Sequence, residues 1–171
     1  RAKAGGAQAA QGDSGTAGAA GPALEAAAAL LCALPAEVAA AEFGAELRWC
    51  TLVGLRVLGA GVGGAEGAVF QVQVLQLLAR AAVSGAAWVE DELHTVVPAL
   101  AAGATGRAPL VRLGCLQALL QLMKGSRGHL APFRKQIEAA TARAVEDRRR
   151  EVRLAAVACL NAWQCGATAE G

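Results

Sequence analysis

Five cysteines, two histidines and a cluster of arginines are the residues of this 171-residue chain whose types could carry chemistry. Cys32, Cys50, Cys115, Cys159 and Cys165 form no CxxC pair, and the nearest two, Cys159 and Cys165, are six apart. Metal and cluster ligation draws on several cysteines at tighter spacing, so no metal site is expected. Four of the five fall inside apolar helical patterns, which reads as buried, reduced thiols of a cytosolic or nuclear protein. His94 has Glu90 four residues before it, a surface pair on one helix, and His129 falls in a loop. Neither has a second His or a Cys at ligand spacing. The glycine run GAGVGG at 59–64 lacks the Lys-Ser/Thr that would hold a phosphate, and no βαβ unit follows it. No Ser/His/Asp or Cys/His constellation stands on the loops of a pocket-forming fold. These residues point to a protein that is not an enzyme and uses no cofactor.

The arginines offer binding instead. Arg148, Arg149, Arg150 and Arg153 are the densest charge cluster, partly offset by Glu146, Asp147 and Glu151. Arg149 and Arg153 are four apart, share one helix face and could grip an acidic partner surface together. The competing reading is a solvated helix start, with Arg153 a structural residue that pairs with an acidic neighbour or caps carbonyls. A basic run can also address the nucleus or contact nucleic acid, but no aromatic residues are interleaved here. The whole chain carries 16 Lys/Arg against 14 Asp/Glu, a net +2, too balanced for a dedicated nucleic-acid binder.

The elements that position these residues read as helices. Hydrophobic residues make up 55% of the chain but aromatic ones only 4%, with no Tyr and one Met. A core of small residues with Leu and Val suits close-packed helices better than a β-sandwich. The longest apolar run, Ala26 to Leu34, stops at Pro35, well short of the roughly 18 residues that span a bilayer. No secretory signal is visible. The chain opens on Arg1 rather than Met, which suggests a fragment or an incomplete gene model. Residues 1–21 hold eight Ala and six Gly with no large apolar side chain, a composition expected to stay disordered.

From Pro22 to Trp163 the pattern is helical throughout, followed by a tail at 164–171. Breaks are expected near Pro35, at 59–67, at Ser84-Gly85, at 105–109, at 125–128 and at Glu146-Asp147. Pro132 can open a helix striped by Phe133, Ile137, Ala140 and Ala144. Asp147 can cap the next, which carries Val152, Ala156, Leu160 and Trp163 on one face. Upstream, Trp88 to Ala102 reads as one helix kinked at Pro98, and Leu110 to Met123 as its partner. Trp49 and Trp88 read as core residues, and Trp163 as a core closure or an interface aromatic.

These helices repeat. Val111-Arg112 and Val152-Arg153 hold the same place in LVRLGCLQALLQL and EVRLAAVACLNAW. ELRWCTLVGLRVL supplies a third copy, with Leu47-Arg48 at the dipeptide. The step from Val111 to Val152 falls within the period of about 40 to 47 residues that marks HEAT/armadillo helix pairs. The expected fold is therefore an all-α solenoid of about three helix pairs over 22–163. The step from Leu47 to Val111 is longer, exceeding one such period by roughly half. The surplus falls at about 56–76, which reads as an insertion or as non-coding sequence translated by a faulty gene model.

The C-terminal run HLAPFRKQIEAATARAVEDRRREVRLAAVACLNAW resembles the C-terminus of the methyl-methanesulfonate-sensitivity HEAT proteins of the cytosolic iron–sulfur targeting complex. The resemblance rests on Pro132-Phe133-Arg134-Lys135, Glu146-Asp147, Arg148-Arg149-Arg150, Val152-Arg153, Ala156-Val157 and Trp163. It covers residues 87–163 well and 23–55 more weakly. Leu154-Ala155 and Leu160 replace charged residues usual in that family, so its charged face is thinner here. The resemblance implies a protein-binding adaptor, cytoplasmic and nuclear, that bridges subunits of the targeting machinery to iron–sulfur client enzymes of DNA replication and repair. It further implies that the last repeats dock on that machinery. Joined to the charge pattern, it makes Arg134, Lys135, Arg148, Arg149, Arg150, Arg153 and Trp163 the candidate partner-binding residues. The alternatives are another HEAT scaffold, of the transport or microtubule type, or a nucleic-acid-binding solenoid; no membrane role is expected.

Overall fold

A computed structural model of the chain describes residues 17–59 and 65–165. The described residues form α-helices and one 3-10 turn, with no β-strand among them. The helices are α1 (Ala17–Ala33), α2 (Ala36–Glu42), α3 (Gly44–Gly59), α4 (Ala65–Val83), α5 (Ala87–Asp91), α6 (Leu93–Gly103), α7 (Pro109–Gly125), α8 (Arg127–Leu130), α9 (Arg134–Val145) and α10 (Arg150–Cys165), the 3-10 turn being Ala131–Phe133. Several boundaries have a local cause. Pro35 lacks the N–H that would continue α1, and Pro109 supplies a preset first turn to α7. Gly85 turns the chain after α4 at φ +69°, a conformation that side-chain-bearing residues rarely adopt.

The helices stack in two layers. In one, α4 packs on α7 and α7 on α10; in the other, α3 packs on α6 and α6 on α9. Across the layers α3 pairs with α4, α6 with α7 and α9 with α10, and α1 closes onto α3 and α4. The connections within these pairs are short, which makes each pair antiparallel. The core between the layers is mostly Leu, Val and Ala. Its centre is α7, which buries Val111, Cys115, Leu116, Ala118, Leu119, Leu122 and Met123. Glycine permits the tightest approaches. A Cβ on Gly114 would stand 2.9 Å from Leu75, and one on Gly54 would collide with Val74.

The step that takes Val111 to Val152 runs through both layers without interruption. Taken once backwards from Val111 it reaches Phe70, and all three are buried, in α4, α7 and α10. The same step links Val74, Cys115 and Ala156, and then Leu77, Ala118 and Cys159, all buried. In the other layer it links Leu55, Val96 and Ile137, and then Leu58, Ala99 and Ala140. This corrects the repeat frame expected from the sequence. ELRWCTLVGLRVL is α3, which lies in the layer of α6 and α9, so Leu47-Arg48 is not the counterpart of Val111-Arg112. The counterpart is Phe70-Gln71 in α4. With the register set by Phe70, the surplus disappears. Among the described residues of 56–76, Leu58, Phe70, Val74 and Leu75 lie in the core.

Other expectations are corrected in detail. Helix α1 begins at Ala17 and carries Pro22 inside it, so the end of the expected disordered tail is helical. Residues 1–16 of that tail, residues 60–64 and residues 166–171 lie outside the described residues. The segment Trp88 to Ala102 is two helices broken at Glu92 (φ −100°, ψ 9°), with Pro98 inside the second. That break separates Glu90 from His94. Glu90 instead meets His129 Nδ1 at 3.1 Å and accepts from the Ser126 hydroxyl at 2.8 Å, while His94 Nδ1 contacts the Asp91 carbonyl. Trp49 is 57% exposed, on the outer side of α3, rather than a core residue, while Trp88 is partly buried.

Among the described residues the cysteines are free thiols. Cys50, Cys115 and Cys159 are buried and Cys32 partly so; the Cys165 side chain lies outside the described residues. Burial pushes the Cys115 thiol up to about 12 and the Cys159 thiol to about 11. Both stay protonated, and Cys159 donates to the Leu116 carbonyl at 3.2 Å across the α7–α10 contact.

Candidate docking surface

The turns joining α6 to α7 and α9 to α10 lie side by side on one edge of the stack, and they and the helix ends beside them carry Arg107, Arg112, Arg143, Arg148, Arg149, Arg150 and Arg153. Arg112, one turn into α7, donates through Nη1 to the carbonyls of Gly106 and Arg107, at 3.0 and 2.9 Å. Its other side reaches the next repeat. Nε and Nη2 meet the two carboxylate oxygens of Asp147 at 2.6 and 3.0 Å, with both side chains mostly buried. Asp147 Oδ1 also accepts from the Arg149 backbone N–H at 2.8 Å. This short side-chain-to-backbone bond makes Asp147 the hinge of a turn rather than the cap of α10, which begins at Arg150. Hydrogen bonds from Arg112, opposed by desolvation and aided by the Arg149 N–H and the charges of Arg112 and Arg153, hold the Asp147 carboxyl below its ordinary value.

Arg153 repeats the first half of this arrangement. It stands one repeat after Arg112, and its Nη1 donates to the carbonyls of Asp147 and Arg148, at 2.8 and 3.2 Å. Those carbonyls are themselves one repeat after Gly106 and Arg107. Arg153 thus caps its own turn. A cleft of about 500 Å³ opens between the two turns, lined by Thr105, Arg107, Arg143, Glu146 and Arg148 among others.

The candidate residues separate into two groups at opposite ends of the α9–α10 pair. At one end Arg148 lines the cleft, Arg149 and Arg150 are exposed, and Arg153 caps the turn. None of Arg148, Arg149 and Arg150 makes an ion pair among the described residues. Arg149 immediately precedes α10, and its carbonyl accepts from the Arg153 backbone N–H at 3.2 Å. At the other end Arg134 pairs with Glu138 at 2.7 Å within α9, and Lys135 is exposed. Trp163 belongs to this second end and is partly buried. Arg127 lies over its ring, 5.8 Å from the centroid, and also donates to the Trp163 carbonyl. This fixes the indole as a closing contact between α8 and α10.

Sequence reasoning missed Arg107, Arg127 and Arg143 as members of these surfaces. Arg107 carried a readable signal, since it precedes Arg148 by one repeat. Arg127 and Arg143 carried none: α8 and the end of α9 reach their neighbours only through the stacking. No helix among the described residues is long and apolar enough to cross a membrane. No protein-family model matches the chain, and neither does any curated protein.

Proposed function

We propose that this chain is a HEAT/armadillo-type solenoid that works as a protein-binding adaptor. In this reading its last helix pair docks on subunits of the cytosolic iron–sulfur targeting machinery and serves client enzymes of DNA replication and repair in cytoplasm and nucleus. The chain performs no catalysis of its own. The observation that carries the reading is the edge of the α9–α10 pair. Arg148, Arg149 and Arg150 stand there exposed and without carboxylate partners among the described residues. Exposed like-charged residues steer acidic partners and set association rates more than they stabilise a fold. The period shared by both layers supports the repeat architecture, and the C-terminal run that resembles the targeting-complex HEAT proteins supports the choice of partner.

The test is capture of purified targeting-complex subunits by the chain. Reversing Arg149 and Arg150 to Glu should weaken capture about tenfold or more and leave helicity intact by circular dichroism. Undiminished capture by the double reversal places the docking surface elsewhere. Truncation after Val145 is a poorer test, because it strips α10 from α7 and leaves Leu116 and Leu119 uncovered. A steep loss of binding with salt on a nucleic-acid probe, with no capture of the subunits, would favour the nucleic-acid-binding alternative.

A further inference from the structure

We infer that the outer face of α10 receives a helix of a partner protein that enters through an aspartate-bearing turn, with Arg153 holding the carboxylate. The chain displays such a joint within itself. Arg112 is oriented by the Gly106 and Arg107 carbonyls, and in that orientation its Nε and Nη2 grip both oxygens of Asp147, the residue that turns the chain toward α10. Arg153 is oriented by the equivalent carbonyls of Asp147 and Arg148. Its Nε and Nη2 have no acceptor among the described residues. The fork is therefore preset for a carboxylate that has the place relative to α10 that Asp147 has relative to α7.

The apolar surface beside it follows the same logic. Position by position, the inward face of α10 matches α7: Val152, Ala156 and Cys159 are buried like Val111, Cys115 and Ala118. The other face departs. Leu116 is 0% exposed beneath α10, but its equivalent Val157 is 42% exposed, and Leu154, the equivalent of Leu113, is 58% exposed. Leu160 is only partly covered where Leu119 is buried. An apolar helix stripe ending at a fixed guanidinium fits an amphipathic helix with an acid at its entry. A phosphate backbone would use the fork but not Leu154 and Val157. Arg148, Arg149 and Arg150 beside the fork select an acidic turn over a basic one. That the occupant belongs to a partner protein rests on the adaptor reading; the receptor geometry does not.

The experiment has two arms. In the first, residues 125–165 are repeated once after Cys165 in the full chain, which places a second aspartate turn and helix in phase with α10. The extended chain should melt several degrees higher than the parent. Arg153→Lys, or Asn at the copied aspartate, should each remove part of that gain, and together no more than either alone. If the extension adds no stability, or if the gain ignores both substitutions, the receptor is refuted. In the second arm, Arg153→Lys should weaken capture of the targeting-complex subunits about tenfold, with Arg56→Lys, exposed on α3, as an unaffected control. Equal capture by Arg153→Lys overturns the role of the fork in partner binding. Absence of capture by the parent overturns the adaptor reading alone, since the first arm still decides the receptor. A parent dimer that Arg153→Lys dissociates would assign the face to a second copy and overturn the partner.

Discussion

The two layers of this stack solve the same packing problem with different side chains. The layer of α4, α7 and α10 uses long helices, of 19, 17 and 16 residues, and fills its side of the core with Leu75, Leu77, Leu78, Leu116, Leu119 and Leu122. The layer of α3, α6 and α9 is interrupted at Glu92 and at the 3-10 turn, and from α6 onward it adds the small residues Ala99, Ala101, Gly103, Ala140 and Ala144 to Leu93, Val96, Val97, Leu100 and Ile137. Small residues let helices approach closely, and large ones fill the space that remains. A repeat with one bulkier and one more slender layer places more of the buried leucines on α4 and α7 than on α6 and α9. Arg80 reinforces that layer at its start, donating to the carbonyls of Leu31, Cys32 and Leu34 that α1 leaves free at its end.

Four tests break or sharpen this contrast. The largest effect belongs to Leu119→Ala in α7. It opens a cavity where the layers meet and should cost about 3 kcal/mol in urea denaturation, from the usual range for buried Leu. Next is Ala140→Leu in α9, which overfills the slender layer and should cost about 2 kcal/mol. If Ala140→Leu is tolerated and Leu119→Ala is mild, the division of labour between the layers fails.

The third concerns the joint between repeats. Because the folded Asp147 carboxyl titrates below its ordinary 3.8, the stability it contributes is complete above that value and lost as pH falls through the lower folded value. Asp147→Asn should therefore destabilise at neutral pH and flatten the acid limb of the stability curve. An unchanged acid limb would show that the pair adds nothing to folding. The smallest effect compares two threonines of the slender layer. The Thr51 hydroxyl is buried without a hydrogen-bond partner, whereas Thr141 donates to the carbonyls of Ile137 and Glu138. Thr51→Val should raise stability by about 1 kcal/mol and Thr141→Val should not. Equal effects on the melting temperature would contradict this.

The sequence by itself determined the helical class, the breaks at proline and glycine, and the repeat step between α7 and α10. These are local or periodic properties, since hydrophobic spacing and backbone preference act within a few residues. It also marked Arg148 to Arg150 as exposed, because a run of like charge has no other stable place. Only the tertiary structure decided which helix belongs to which layer. Leu47-Arg48 and Val111-Arg112 read alike as dipeptides, but α3 lies over α6, while Phe70, which lacks the arginine beside it, takes the equivalent place on α4. The sequence likewise could not assign the partners of Arg112, Glu90 and Trp163. These are Asp147 for Arg112, Ser126 and His129 for Glu90, and Arg127 for Trp163, each most of a repeat away along the chain. Such pairs exist only after the repeats stack, because stacking brings together side chains from turns that are remote along the chain and adjacent in space.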